Sequence, residues 1–390
     1  MRMRKATSAL VGLLLAGVAA TPAHAATIRS QQWHLDAMKA DEIWKISTGK
    51  GVTVAVIDDG VREIPELQGQ LVPGKRFTPD GADGPTDQGG HGTTMAALIA
   101  GTGKHPSGDG GYGLAPGAKI LPILVANTEK ATPTWVAAIR YAADSDAKII
   151  NVSLGIGGTP EDDLARAEAV KYALAKGKLI FAAVGNTGNS TNRIEYPGAT
   201  PGVVGVGAVD ASGEPTQESQ HGPQVEMAAP GIDIFTACSG KTGVCKNHGT
   251  SDATALASAS AALLWSAHPD WTNNQVLRVL LNTAGKPFDG SQRNDYVGYG
   301  VVRPSAALKS PGDPGPADVY PLPDLAAADG AAKKPSASAD GKAPDAAAST
   351  PAAQAESKKS GSVLPWVALG LGACVLIGGA VTVVVVRRNR

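Results

Sequence analysis

Four side chains far apart in the chain are of the types that could act together: the carboxylate of Asp58, the imidazole of His91, the amide of Asn186 and the hydroxyl of Ser251. A serine hydroxyl is a poor nucleophile at neutral pH. Attack on a carbonyl therefore needs a base such as imidazole to take its proton, and a carboxylate beside that imidazole fixes its tautomer and steadies its cation. An amide N–H is one of the donors that can stabilise the oxyanion formed by such an attack. Taken singly, each residue has a plainer reading. Asp58-Asp59-Gly60 resembles an ordinary loop start, His91 a structural histidine, Asn186 a turn residue and Ser251 a helix N-cap.

The elements around these residues give the set its weight. Short, almost continuously apolar runs at Val52–Ile57, Ile120–Val125, Ile149–Ser153, Leu179–Val184 and Val203–Val209 read as strands. Thr134–Ala143 and Glu161–Ala175 have helical spacing between them. This alternation predicts an α/β fold whose mostly parallel central sheet is covered on both faces, with functional residues at the carboxyl ends of the strands. Asp58 follows the first run, Asn186 follows Phe181-Ala182-Ala183-Val184-Gly185, and His91-Gly92 opens an apolar helix. Ser251 begins an Ala-rich helix to His268, with Ala253, Leu256, Ala257, Ser260, Ala261 and Leu264 on one stripe. Pro269 stops it, and Thr272 N-caps a further helix to about Leu281.

Composition sets the compartment and excludes some classes of function. Lys plus Arg and Asp plus Glu balance at 35 each, so no net field invites nucleic acid. Arg2, Arg4 and Lys5 precede an apolar run ending near Ala23-His24-Ala25, which reads as a signal peptide over residues 1–25. Residues 26–310 carry the alternating pattern of one large domain, and residues 311–362 form a Pro/Ala-rich stretch with the composition of a disordered linker. Residues 363–386 lack any charge and precede Arg387, Arg388 and Arg390, which reads as a transmembrane helix with a cytoplasmic tail at 387–390. The domain would then lie outside the cell, tethered to the membrane, where Cys238 and Cys245 can form a short-loop disulfide.

In chain order Asp, His, Ser, the chemical set resembles the subtilisin-like serine peptidases. The likeness runs from about Thr48 to Leu308 and includes Gly113-Leu114-Ala115-Pro116, Asn151-Val152-Ser153-Leu154-Gly155, Tyr196-Pro197-Gly198, Ala229-Pro230-Gly231 and His268-Pro269-Asp270-Trp271. It implies a three-layer fold and an endopeptidase acting on protein or peptide, with Asp58, His91 and Ser251 as the triad. Asn186 and the Ser251 N–H would be the oxyanion donors. By the same carry-over, Ser153, Leu154 and Gly155 would pair with an extended substrate, and Ala183 and Gly185 would line the primary specificity pocket. Glu195 would sit at that pocket's floor, implying a preference for Lys or Arg before the scissile bond. No cofactor or metal is expected. Glu66 lies near one family calcium ligand, but no convincing oxygen set accompanies it.

Two departures stand out. Asp252 follows the nucleophile where the family has an uncharged residue, and it could hold a proton on His91 and blunt base catalysis; Asp59 raises a milder version of the same question. The short lead containing Arg29-Ser30-Gln31-Gln32-Trp33-His34-Leu35, the linker and the terminal helix together resemble a mycosin, the membrane-anchored subtilisin-like peptidase of type VII secretion. That likeness implies a partner in a secretion complex, while the short stretch from the expected new N-terminus at Ala26 to Asp58 leaves too little chain for a large inhibitory prodomain. It also leaves an alternative open, a subtilisin-shaped scaffold with little turnover.

Overall fold

A computed structural model describes residues 27–78, 87, 89–126 and 132–332. Its strands are β1 (Thr53–Asp58), β2 (Lys75–Phe77), β3 (Lys119–Val125), β4 (Ile149–Val152), β5 (Ile156–Gly157), β6 (Leu179–Ala183), β7 (Glu195–Tyr196), β8 (Val204–Val209), β9 (Met227–Pro230), β10 (Ile234–Ala237) and β11 (Val244–Asn247). Seven of them form the central sheet in the order β2-β3-β1-β4-β6-β8-β9, every pairing parallel. The expected strands appear within a residue or so of their limits. The chain steps from β3 over β1 to β4, which opens a crevice at the carboxyl ends of β1 and β4.

Period-two alternation distributes each strand between two cores. In β1, Val54 and Val56 pack with α4 (His91–Ala100), α7 (Thr250–Ala267) and α8 (Asn273–Thr283), while Ala55 and Ile57 pack with α5 (Thr132–Asp144) and α6 (Pro160–Ala175). Both faces are thus covered, as the unbroken apolar runs require. Each fully buried branched side chain contributes about 1.5–3 kcal/mol relative to exposure.

The central helix α7 differs from the one-sided stripe read from the sequence. From Thr250 to Trp265 every residue except Ser251 is buried, because the helix runs beneath the sheet with α4, α8 and α9 (Pro304–Lys309) around it. Its alanines and serines permit this close approach, and its hydroxyls bond internally: Ser258 donates to Asn151 Oδ1 (3.0 Å) and Ser260 to the Leu256 carbonyl (2.8 Å).

The lead segment forms α1 (Ile28–Gln31), α2 (Trp33–Ala37) and α3 (Ala40–Ile43). The Gln32 amide donates to the carbonyls of Tyr112 and Phe235, and Trp33 Nε1 donates to that of Ile232, so these turns are bound to the body. At the other end the body does not stop at Pro311. The Arg278 guanidinium donates to the carbonyls of Pro314, Pro316 and Val319, Leu322 is buried, and α10 (Asp324–Ala332) follows. The composition from 311 onward hid this because the Arg278 contacts are made to main-chain carbonyls, and the apolar anchors are only Leu322 and Tyr320, packed on the main core. Among the described residues no helix is long and apolar enough to cross a membrane. The expected signal peptide (1–25), the rest of the expected linker (333–362), the apolar run at 363–386 and the tail lie outside the described residues.

Candidate active site

Asp58 is the last residue of β1, fully buried at the sheet's carboxyl edge. His91 is the first residue of α4, entered through Gly90 in a left-handed conformation (φ 86°). Gly92 then lets the helix start press against the strand end: a Cβ there would lie 2.1 Å from the Gly60 carbonyl oxygen and 2.9 Å from Asp58 Cβ. This contact brings His91 Nδ1 to 2.8 Å from Asp58 Oδ1. With Nδ1–H donating to the carboxylate, Nε2 is the nitrogen left to accept a proton.

Asp59 has a structural task. Its Oδ1 accepts from the Gly92 N–H (2.7 Å) and its Oδ2 from the Gly89 N–H (3.0 Å), placing an anion where the first turn of α4 offers free donors. Its carboxyl is raised in pKa by burial, against the Gly92 hydrogen bond.

Ser251 stands in the first turn of α7, after Gly249 at φ 127°. In this resting arrangement its Oγ donates to the Ser153 carbonyl (2.9 Å), and Ser153 Oγ donates in turn to the Ser251 carbonyl (3.0 Å). The helix start is thereby tied to the end of β4. The N–H of Ser251, like others in a first helical turn, has no acceptor within its own helix.

Asn186 lies three residues beyond β6 and is exposed. Its Oδ1 accepts from Thr250 N (2.8 Å) and Thr250 Oγ1 (3.0 Å), while Thr250 Oγ1 also accepts from the Gly185 N–H (3.2 Å). The amide oxygen is thus engaged, and Nδ2 is left as a free-facing donor beside the start of α7. Sequence reasoning assigned no role to Thr250. Its partners lie 64 and 65 positions away, so only folding exposes the clamp.

Asp252 is 1% exposed with Oδ1 unpartnered. Burial pushes its carboxyl up to about 7, against the pull of His91 and His248. His91 is affected in turn. Burial disfavours its cation, but Asp58, through charge and hydrogen bond, together with Asp59 and Asp252, overrides this and raises it to about 9. Asp252 is thus one of the three carboxylates that act on the His91 cation.

On the other side of Ser251, Ser153–Gly155 links β4 to β5, and Glu195 in β7 pairs across from Gly157. The Glu195 carboxylate lies between two glycines: a Cβ on Gly155 would be 2.3 Å from its Oε2 and one on Gly185 2.8 Å from its Cδ. Gln220 Nε2 donates to Glu195 Oε1 (2.9 Å); burial raises the carboxyl against that bond and the charge of Arg193. Ala183 and Leu154 flank this region as buried and half-buried residues. Cys238 and Cys245 are disulfide-bonded across β10 and β11, with Cα atoms 5.9 Å apart. Glu66 is buried in the turn Pro65–Leu67, and among the described residues no cluster of three or more metal-ligating side chains surrounds it.

The model of the subtilase family, Peptidase_S8, matches residues 49–300. Mycosin-1 of Mycobacterium tuberculosis is 32% identical over 326 residues, spanning 70% of this chain and 72% of its own length. The crystal structure of MycP1 with its N-terminal propeptide removed superposes with a TM-score of 0.65 at 31% identity, covering 73% of this chain and 99% of that one. A periplasmic assembly from the ESX-5 inner membrane complex contains a chain matching at a TM-score of 0.66 and 28% identity, over 77% of this chain and 89% of that one. Because the matched span runs through β1, α4, β6 and α7 alike, the chain belongs to the subtilase family and is a subtilisin-like serine endopeptidase related to the mycosins.

Proposed function

We propose that the chain works as a membrane-anchored endopeptidase outside the cell, using Asp58, His91 and Ser251 as its triad. The observation that carries this reading is the 2.8 Å contact between buried Asp58 and His91 Nδ1, which leaves Nε2 to take the Ser251 proton. During acylation Ser251 Oγ exchanges its bond to the Ser153 carbonyl for one to His91, attacks the peptide carbonyl, and passes its proton to the imidazole. The imidazolium then protonates the leaving amine, and water completes the second half by the reverse route. The oxyanion is held by Asn186 Nδ2 and the Ser251 N–H; one such donor is worth about 2.7–4 kcal/mol. An extended peptide lies along Ser153-Leu154-Gly155, which takes part in no strand pairing among the described residues, and its side chain enters beside Ala183 and Gly185. Glu195 at the end of that pocket favours Lys or Arg before the scissile bond. Equal turnover of Lys and Leu peptides, unchanged in Glu195→Gln, would refute the preference.

Anchoring rests on the sequence pattern: a signal peptide at 1–25, export of the domain, and a span at 363–386. The mycosin relatives support work beside a type VII secretion complex, since one matching chain comes from an ESX-5 inner membrane assembly. A second reading, a scaffold with little turnover, is favoured by one observation: Asp252 adds to the field that keeps His91 protonated. Fluorophosphonate labelling and peptide turnover by the purified ectodomain, with Ser251→Ala as control, separate the two. Labelling and turnover that vanish in the variant support the peptidase; their absence from the unmodified chain supports the scaffold.

A further inference from the structure

Beside His91 the cleft opens into a cavity of about 610 Å³ between the start of α4 and the β10–β11 hairpin with its disulfide. Asp252 lines it, nearly sealed from solvent, with Oδ1 accepting no hydrogen bond and the side chain of Asn247 as a hydrogen-bond partner. A buried acceptor left unpaired costs about 1–3 kcal/mol, and more when charged. The cavity's other charged groups are already engaged. The Asp87 carboxylate accepts from Gly90 N and Thr93 Oγ1, and Arg62 donates to the Asp87 carbonyl. Lys246 pairs with Asp233 and His248 with Glu218. Asp252 alone among them offers an unused acceptor.

The cavity's place relative to the reaction follows from His91. None of Ser153, Leu154, Gly155, Ala183, Gly185 or Glu195, which serve the acyl half of the substrate, lines it, whereas His91, which protonates the leaving amine, does. The residue after the scissile bond therefore enters here.

We infer that Asp252 is a specificity-determining residue for that position and selects a peptide with Lys or Arg there. The inference rests on the peptidase reading above. A cationic side chain supplies the missing donor as a charge-assisted hydrogen bond, roughly twice as strong as a neutral one. It also changes the base. His91 faces Asp58 from β1, Asp59 from the turn that follows and Asp252 from α7, with Arg62, Lys246 and His248 as the cations around the cavity. A substrate cation that neutralises Asp252 removes one of the three carboxylates holding the proton on His91, so the favoured substrate releases the base it needs.

The test uses internally quenched peptides differing only after the scissile bond, Lys against Leu, with active sites counted by fluorophosphonate. The unmodified ectodomain should favour Lys by at least about tenfold in kcat/KM. The acid limb of the Lys peptide should lie at lower pH than that of the Leu peptide, and Asp252→Asn should erase both differences. Leu cleaved as well as Lys by the unmodified chain overturns the inference whether or not the variant folds. So does a Lys preference that survives in Asp252→Asn, or labelling of Ser251 without cleavage of the Lys peptide. Absence of both labelling and turnover overturns the peptidase reading and this inference with it.

Discussion

Removing the hydroxyl of Thr250 while keeping its shape, as Thr250→Val, tests whether Asn186 is aimed as the proposed oxyanion donor. Asn186 Oδ1 has two donors, Thr250 N at 2.8 Å and Thr250 Oγ1 at 3.0 Å, and the substitution deletes the second while leaving the first. One neutral hydrogen bond is worth about 0.5–1.5 kcal/mol. If that energy holds Nδ2 toward the developing oxyanion, kcat should fall by about twofold to about tenfold. This is well short of the 10²–10³ expected for Asn186→Ala. KM should stay within about twofold, because the donor matters most when charge has formed. Thr250→Ser should recover most of the loss. The assay is steady-state hydrolysis of a chromogenic peptide at fixed pH, with urea unfolding to measure the separate cost of orphaning the Gly185 N–H. The double variant with Asn186→Ala decides the matter: with the amide gone, Thr250→Val should have no further effect on kcat. Additive losses would mean that Thr250 acts elsewhere and that the clamp is irrelevant to catalysis.

Other outcomes follow from the same geometry. With His91 raised to about 9, kcat/KM on a Leu-type peptide should climb through the alkaline range with a limb near 9, and Asp252→Asn should move that limb to lower pH, raising activity at pH 7. A limb unmoved by the substitution would show that Asp252 does not couple to His91. His34 is fully buried with both ring nitrogens unpartnered and lowered to about 3, chiefly by burial. Only the unfolded chain binds its proton between about pH 6.5 and 3, so stability should drop by up to about 1.4 kcal/mol per pH unit as pH falls through that window. Urea midpoints of His34→Phe should show a shallower acid loss than the unmodified chain. Arg278→Ala frees the carbonyls of Pro314, Pro316 and Val319, and limited proteolysis should then cut within 311–323 before it cuts the rest of the body.

What the sequence made legible tracks how locally each feature is specified. Strands β1, β3, β4, β6 and β8 are buried on both faces, so their apolar runs identify them without knowledge of neighbours. The edge strand β2 is Lys75-Arg76-Phe77, exposed or half-buried, and carries no such mark. Strand β9, Met227-Ala228-Ala229-Pro230, is too short and too alanine-rich to show a period. Asp58, His91, Asn186 and Ser251 were conspicuous as candidates because each stands at or near the end of a regular element. Roles that depend on partners distant in sequence were not: Thr250 acts on Asn186, and Asp59 supplies acceptors to the start of α4. Asp252 was conspicuous by residue type, but its burial and bare Oδ1 emerge only on folding. The attachment of the stretch beyond Pro311 was illegible for a related reason: Arg278, which reaches its carbonyls, stands 36 to 41 positions earlier in the chain.

The most direct test is a crystal structure of the ectodomain reacted with a peptidyl phosphonate. The phosphorus should be bonded to Ser251 Oγ, with its oxygen within hydrogen-bond reach of Asn186 Nδ2 and the Ser251 N–H and His91 still paired with Asp58. An adduct with that oxygen facing solvent and His91 turned away from Ser251, or no adduct at Ser251 at all, would contradict the triad.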